Sequence, residues 1–170
     1  DRDRMVAVDG AGFGDYRRAA LLIRYGRLEE EAGIAAIVAE TNELERSPQL
    51  LRALLGLNRS FIGRLRTAEG IELLGAYIEN MSHLDVTEPP GIDIRRAARI
   101  INSYMSDDMA GIDTEMHAAA RESRVTETVR QIMDTFEAAL PELNSEVGLQ
   151  WLQAHVEVLL AQEHDIEGQS

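Results

Sequence analysis

Two pairs of carboxylates carry the first chemical possibility. Glu40 and Glu43 stand three residues apart, as do Glu69 and Glu72. On helices that spacing puts both carboxylates of a pair on one face. Two such faces turned together would hold Mg²⁺ against a nucleoside triphosphate. Two carboxylate–histidine pairs, Glu79 with His83 and Asp113 with His117, have the four-residue spacing that lets one helix present two metal ligands. Neither signal is specific, because acids fill 30 of 170 positions and pairs at these spacings arise by chance. Helical phase also opposes them. With the apolar stripe through Leu74 as the inward face, Glu69, Glu72, Glu79 and His83 point outward. Both histidine pairs are expected on the surface. No metal and no cofactor is expected, and Glu40, Glu43, Glu69 and Glu72 are the metal candidates if one binds.

The glutamate pairs give the chain a resemblance to the all-α nucleoside triphosphate pyrophosphohydrolases. That resemblance implies a Mg²⁺-dependent phosphohydrolase with the four glutamates at the metal. It departs from the family where the second motif ends in Asp, since Glu72 stands there, and the rest of the chain does not follow the pattern. Val6-Ala7-Val8 and the glycines Gly10 and Gly12 look like the opening of a flavin- or nicotinamide-binding fold. The third fingerprint position is Asp15, whose charge would repel a pyrophosphate. Glu40 lies beyond the usual spacing for a ribose-binding acid, and nothing after it reads as a strand. The expected role of Asp15 is to cap the first helix. Asp107-Asp108 resembles the start of an aspartate-rich diphosphate site, but the MAGID that follows breaks the pattern. Asp108 and Glu115 flank an apolar stripe and are expected to meet Arg95, Arg96 or Arg99 in a structural ion pair.

Composition removes whole classes of chemistry. Without cysteine there are no disulfides, thiolate metal sites or thiol nucleophiles. All 17 basic residues are Arg, so Schiff-base catalysis and a lysine-dependent phosphate loop are excluded. Residues 106–170 hold 14 acids and 3 Arg, whereas residues 1–105 are close to neutral. That acidic half would repel nucleic acid and suits a basic protein partner. No apolar run is long enough to span a bilayer and no secretory leader is visible, so no membrane partner and a cytoplasmic location are expected.

Helical periodicity dominates. Leu21, Tyr25, Leu28, Ala32, Ala35 and Ala39 follow one stripe, with Gly26 and Gly33 as possible breaks. Ser47-Pro48 signals a helix start at an N-cap and first turn. Thr67 caps the next helix, and TEPPG at 87–91 is the clearest loop. Ala97 to Ala119 reads as one long helix over about 93–121, weakest at Gly111. A helix over 125–140 ends at Pro141, and Asn144 or Ser145 caps the last one. No repeat at a fixed period stands out. The expected fold is all-α, a bundle of six or seven helices with an optional division at 87–91 into two packed three-helix halves. Residues 1–14 are expected as a flexible arm, 15–165 as one domain and 166–170 as a disordered tail.

With no catalytic residues assigned, the expected function is a non-enzymatic protein-interaction or regulatory module, homodimeric, with a basic partner. Asn58, polar within an apolar stripe, and Tyr104, Met105, Met109 and Met116 are the interaction candidates. A third reading is an effector-binding domain with an apolar pocket at Trp151 and His155.

Overall fold

Left-handed residues that are not glycine end four of the helices. The computed structural model describes residues 10–167, which form eight α-helices, one short 3-10 helix and no strand. The helices are α1 (Phe13–Arg27), α2 (Glu31–Glu43), α3 (Ser47–Leu65), α4 (Ala68–Ser82), α5 (Gly91–Met105), α6 (Met109–Arg121), α7 (Val125–Ala139) and α8 (Glu146–Glu167), with the 3-10 helix at Pro141–Asn144. The all-α class is as expected. The count rises to eight because both long stripes are interrupted. Glu29 has φ 55° and separates α1 from α2, so Gly26 and Gly33 both lie inside helices. Asp107 has φ 56° and divides the helix expected over 93–121, so Gly111 is not the break. In both cases a reversed residue lets the next N–H groups close back on the helix, Glu30 N to Tyr25 O at 2.9 Å and Asp108 N to Ser103 O at 2.8 Å. Glu45 and Ser123 end α2 and α6 in the same way, with φ 55° and 57°.

These breaks expose a repeat that the sequence reading missed. Glu29 and Asp107 stand 78 positions apart, as do Glu45 and Ser123 (29 to 107, 45 to 123). The same offset carries DYRRAALLI at Asp15–Ile23 onto DIRRAARII at Asp93–Ile101, and Ala32-Gly33-Ile34 onto Ala110-Gly111-Ile112. It carries Arg46 onto Arg124, and the cap Thr67 onto the cap Ser145. Thr67 Oγ1 accepts from Gly70 N at 3.1 Å, and Ser145 Oγ from Gly148 N at 3.0 Å. The chain is thus two diverged copies of a four-helix sequence, α1–α4 and α5–α8.

The compact units do not follow the copies. Unit 1 gathers the chain up to Phe61 and from Leu140 onward, and unit 2 is the continuous segment Ile62–Ala139. Unit 1 therefore packs α8 of the second copy against α1. Unit 2 packs α4 of the first copy against α5. The TEPPG loop lies within unit 2, with the Pro89–Pro90 bond cis. Small residues allow the close helix approach in each unit: Ala19 and Ala20 in one, Ala97 and Ala98 in the other, all fully buried. Leu22, Leu54, Phe61 and Leu152 fill the core of unit 1, and Ile100, Ile101, Ile132 and Phe136 that of unit 2. Most of the arm and tail expected at 1–14 and 166–170 lies outside the described residues, although α1 already begins at Phe13. Among the described residues no helix is long and apolar enough to cross a membrane.

Candidate protein-binding face

The buried charges come first, because they look like chemistry and turn out to be architecture. Asp15 is only 2% exposed. It caps α1, as expected, but as the third residue of the helix and not at the N-cap: Gly12 occupies that place and donates its N–H to Asp15 Oδ2 at 2.8 Å. Arg46, in the turn between α2 and α3, donates to both Asp15 oxygens at 2.5 and 3.2 Å, and Arg18 donates to Oδ1 at 3.0 Å. Burial alone would raise the Asp15 pKa; the bonds from Arg46, Gly12 and Arg18 outweigh it and hold the carboxyl below its ordinary value. The same bond raises the pKa of Arg46. Arg46 Nη2 also donates to Gly10 O at 3.2 Å, so the glycine segment that resembled a dinucleotide turn is tied to a side chain of its own unit. Val6–Val8, the other half of that resemblance, lie outside the described residues.

Unit 2 repeats the device. Arg124 holds Asp93 at the same 2.5 and 3.2 Å. That bond raises the pKa of Arg124. Pro90 occupies the place of Gly12 and has no N–H to offer. Arg96, the counterpart of Arg18, reaches Glu122 at 2.9 Å and Glu115 at 3.9 Å. The expected pairing of Glu115 with α5 arginines is therefore present, while Asp108 instead caps α6 by accepting from Gly111 N at 2.9 Å. These clamps fasten the start of one helix to the turn two helices later.

Glu40 lies on α2 in unit 1, facing Arg17 at 3.5 Å and Arg18 at 3.8 Å. Glu69 and Glu72 are exposed on α4 of unit 2. Among the described residues no three His, Asp or Glu side chains gather as a metal site. The Glu79–His83 pair is exposed and bonded at 2.8 Å, and Asn102 donates to the other Glu79 oxygen at 2.6 Å. With Ser82, Arg99 and Glu115 these side chains line an open groove of about 320 Å³ in unit 2. Its polar groups largely satisfy one another. Asp113 and His117 are exposed on α6.

The interaction candidates separate. Asn58 is buried in unit 1, donates Nδ2 to Leu54 O at 2.8 Å, and leaves its Oδ1 without a partner. The break at Asp107 places Tyr104 and Met105 on α5 but Met109 and Met116 on α6. Of these Met105 is the exposed one, while the rest of that stripe, Ala97, Ile101, Ile112 and Ala119, is core. Trp151 and His155 close on the buried ring of Phe61, with centroids 5.0 and 5.7 Å from it. The open groove of unit 1, about 480 Å³, is lined instead by Arg24, Glu146, Leu149, Gln150, Gln153, Ala154 and Glu157.

The face that sequence reasoning missed is on α4. Ile78 and Ser82 are buried toward unit 2, but Leu73 is 73% and Tyr77 56% exposed. They are one turn apart on one side of the helix. Their counterparts in the other copy are Trp151 and His155, half-buried against the ring of Phe61. At the place of Phe61 the second copy has Ala139. Glu69 and Glu72 flank the apolar pair, and α4 carries three Glu and no Arg. Only the comparison of the two copies shows that these residues lack a cover.

No family model matches the chain, and no curated protein and no solved structure matches it significantly.

Proposed function

We propose that the chain is a non-enzymatic protein-interaction module that takes a basic partner on α4. The observation that carries this reading is the exposure of Leu73 and Tyr77 at positions whose counterparts are half-buried against an aromatic ring. Large apolar side chains exposed together mark interaction sites more often than isolated ones do. The acids around them give the charge preference, which screening by salt weakens. The homodimer expected from the sequence would need a different face, since two α4 helices would set Glu69 and Glu72 against their own copies.

The test compares the wild-type chain with a Leu73→Glu/Tyr77→Glu variant of unchanged helicity. A protein captured by the wild type, then purified, must bind it directly and lose that binding with the variant. Melting temperatures with Mg²⁺ and nucleoside triphosphates are measured alongside. A rise there that Glu69→Gln/Glu72→Gln abolishes would replace this reading with the phosphohydrolase.

A further inference from the structure

We propose that the partner completes α4 with an aromatic side chain, carried on a basic helical segment, in the role that Phe61 plays for α8. This rests on the reading of α4 as a protein-binding face. The two fourth helices share their frame. Thr67 and Ser145 cap them alike. The inward residues correspond as well, Ile78 with Val156, both buried, and Leu74 with Leu152. The outward pairs differ in one respect. Trp151 and His155 meet an aromatic ring edge-on, at interplanar angles of 63° and 80°. For Leu73 and Tyr77 no ring contact is seen among the described residues, and the residue that corresponds to Phe61 in sequence is Ala139.

An aromatic ring buries about 150–250 Å² and gains further from edge-to-face contact with another ring, which Tyr77 can provide. A helical segment suits the face because anchors one turn apart match the spacing of Leu73 and Tyr77. Its flanking residues would be Arg or Lys, facing Glu69 and Glu72. A second copy of this chain fits less well, since its own α4 is acidic.

Three synthetic amphipathic helical peptides test this on the full chain. One is basic with a central Phe, one is basic with Ala in its place, and one is acidic with Phe. Binding is read by anisotropy of a labelled peptide and by amide shifts of the protein. The expected result is that only the basic Phe peptide binds, shifting residues 69–80 and leaving Trp151 fluorescence unchanged. Leu73→Glu should weaken it by at least about tenfold, the scale of a lost anchor. Ala139→Phe should weaken it too, by supplying the ring from within; if that variant does not fold, Leu73→Glu decides alone. Equal binding of the Ala peptide or the acidic peptide at α4 overturns the aromatic or the basic assignment while leaving α4 a binding face. Concentration-dependent shifts at Leu73 and Tyr77 without peptide would make a second copy the occupant. If no peptide shifts α4 and the glutamate variants leave direct partner binding intact, both proposals fall.

Discussion

Arg46 grips Asp15 as a fork, Nη2 on Oδ2 at 2.5 Å and Nε on Oδ1 at 3.2 Å. Asp15 joins α1 to the turn between α2 and α3 and is nearly inaccessible, so losing its charge removes the anion that Arg46 and Arg18 share. Asp15→Asn should cost about 3 kcal/mol at neutral pH, within the range for breaking a buried pair from one side. The pH dependence has a definite sign. The folded carboxyl is held below its ordinary value. Its contribution is thus present above the unfolded pKa of about 3.9 and is lost as pH falls through the lower folded value. Urea titrations at neutral and acidic pH should show the deficit of Asp15→Asn shrinking below about pH 4. A deficit independent of pH would mean the charge is not its source.

Four residues with side chains hold a backbone conformation that glycine adopts freely. A left-handed residue other than glycine costs about 1–2 kcal/mol, partly offset by the greater unfolded freedom of glycine. Glu29→Gly, Glu45→Gly and Ser123→Gly should each stabilise the protein by about 0.5–1 kcal/mol. Ala120→Gly, inside α6, should do the opposite by about 1 kcal/mol. Denaturation midpoints moving the same way for all four would refute the reversed backbone at these turns.

Asn58 occupies the position of the buried Phe136 in the other copy, with its Oδ1 unsatisfied. Removing a buried acceptor that has no partner relieves its desolvation. Asn58→Leu should raise stability by about 1 kcal/mol, with helicity unchanged. A loss of stability would show that Asn58 is satisfied by a water or by another chain.

Gly70 and Gly148 are equivalent, yet substitution should separate them. A methyl group at Gly70 comes no nearer than 3.4 Å to Thr67 Oγ1, while at Gly148 it would collide with the backbone of Glu142. The 3-10 helix at Pro141–Asn144, which the first copy lacks, brings that backbone close. Gly70→Ala should gain up to about 1 kcal/mol from helix propensity. Gly148→Ala should lose about 1–3 kcal/mol by overpacking. Thermal melts of the two variants compare them directly.

Local signals in the sequence were good guides where a short-range rule controls the chain. Thr67 caps as read, Ser145 is the one of the two candidates that caps α8, and residues 87–90 are loop while Gly91 opens α5. The helix breaks differ from those expected because glycine is not the weak point here: the chain reverses at Glu29 and Asp107 and packs Gly33 against the Tyr25 ring. The repeat was visible in DYRRAALLI and DIRRAARII, but its 78-residue period is long and most of the later positions have diverged. The burial of Asp15 and Asp93 has no local sign in the sequence, since their partners Arg46 and Arg124 lie 31 residues on (15 to 46, 93 to 124). The binding face could not be seen from α4 alone. Leu73 and Tyr77 gain meaning only when set beside Trp151 and His155.

The exchange of fourth helices sets an order of events during synthesis. Unit 2 is one uninterrupted stretch of chain and can close as soon as it has left the ribosome. Residues 13–61 are made before unit 2, yet the aromatic lid over Phe61 is translated after it. The α1–α3 segment must therefore wait, with its apolar surface unsealed, for α8. Pulse-labelled hydrogen exchange should find α5–α7 protected before α1. Unit 2 would then fold before unit 1, and a truncation that removes α8 would expose the apolar surface of α1 and α3.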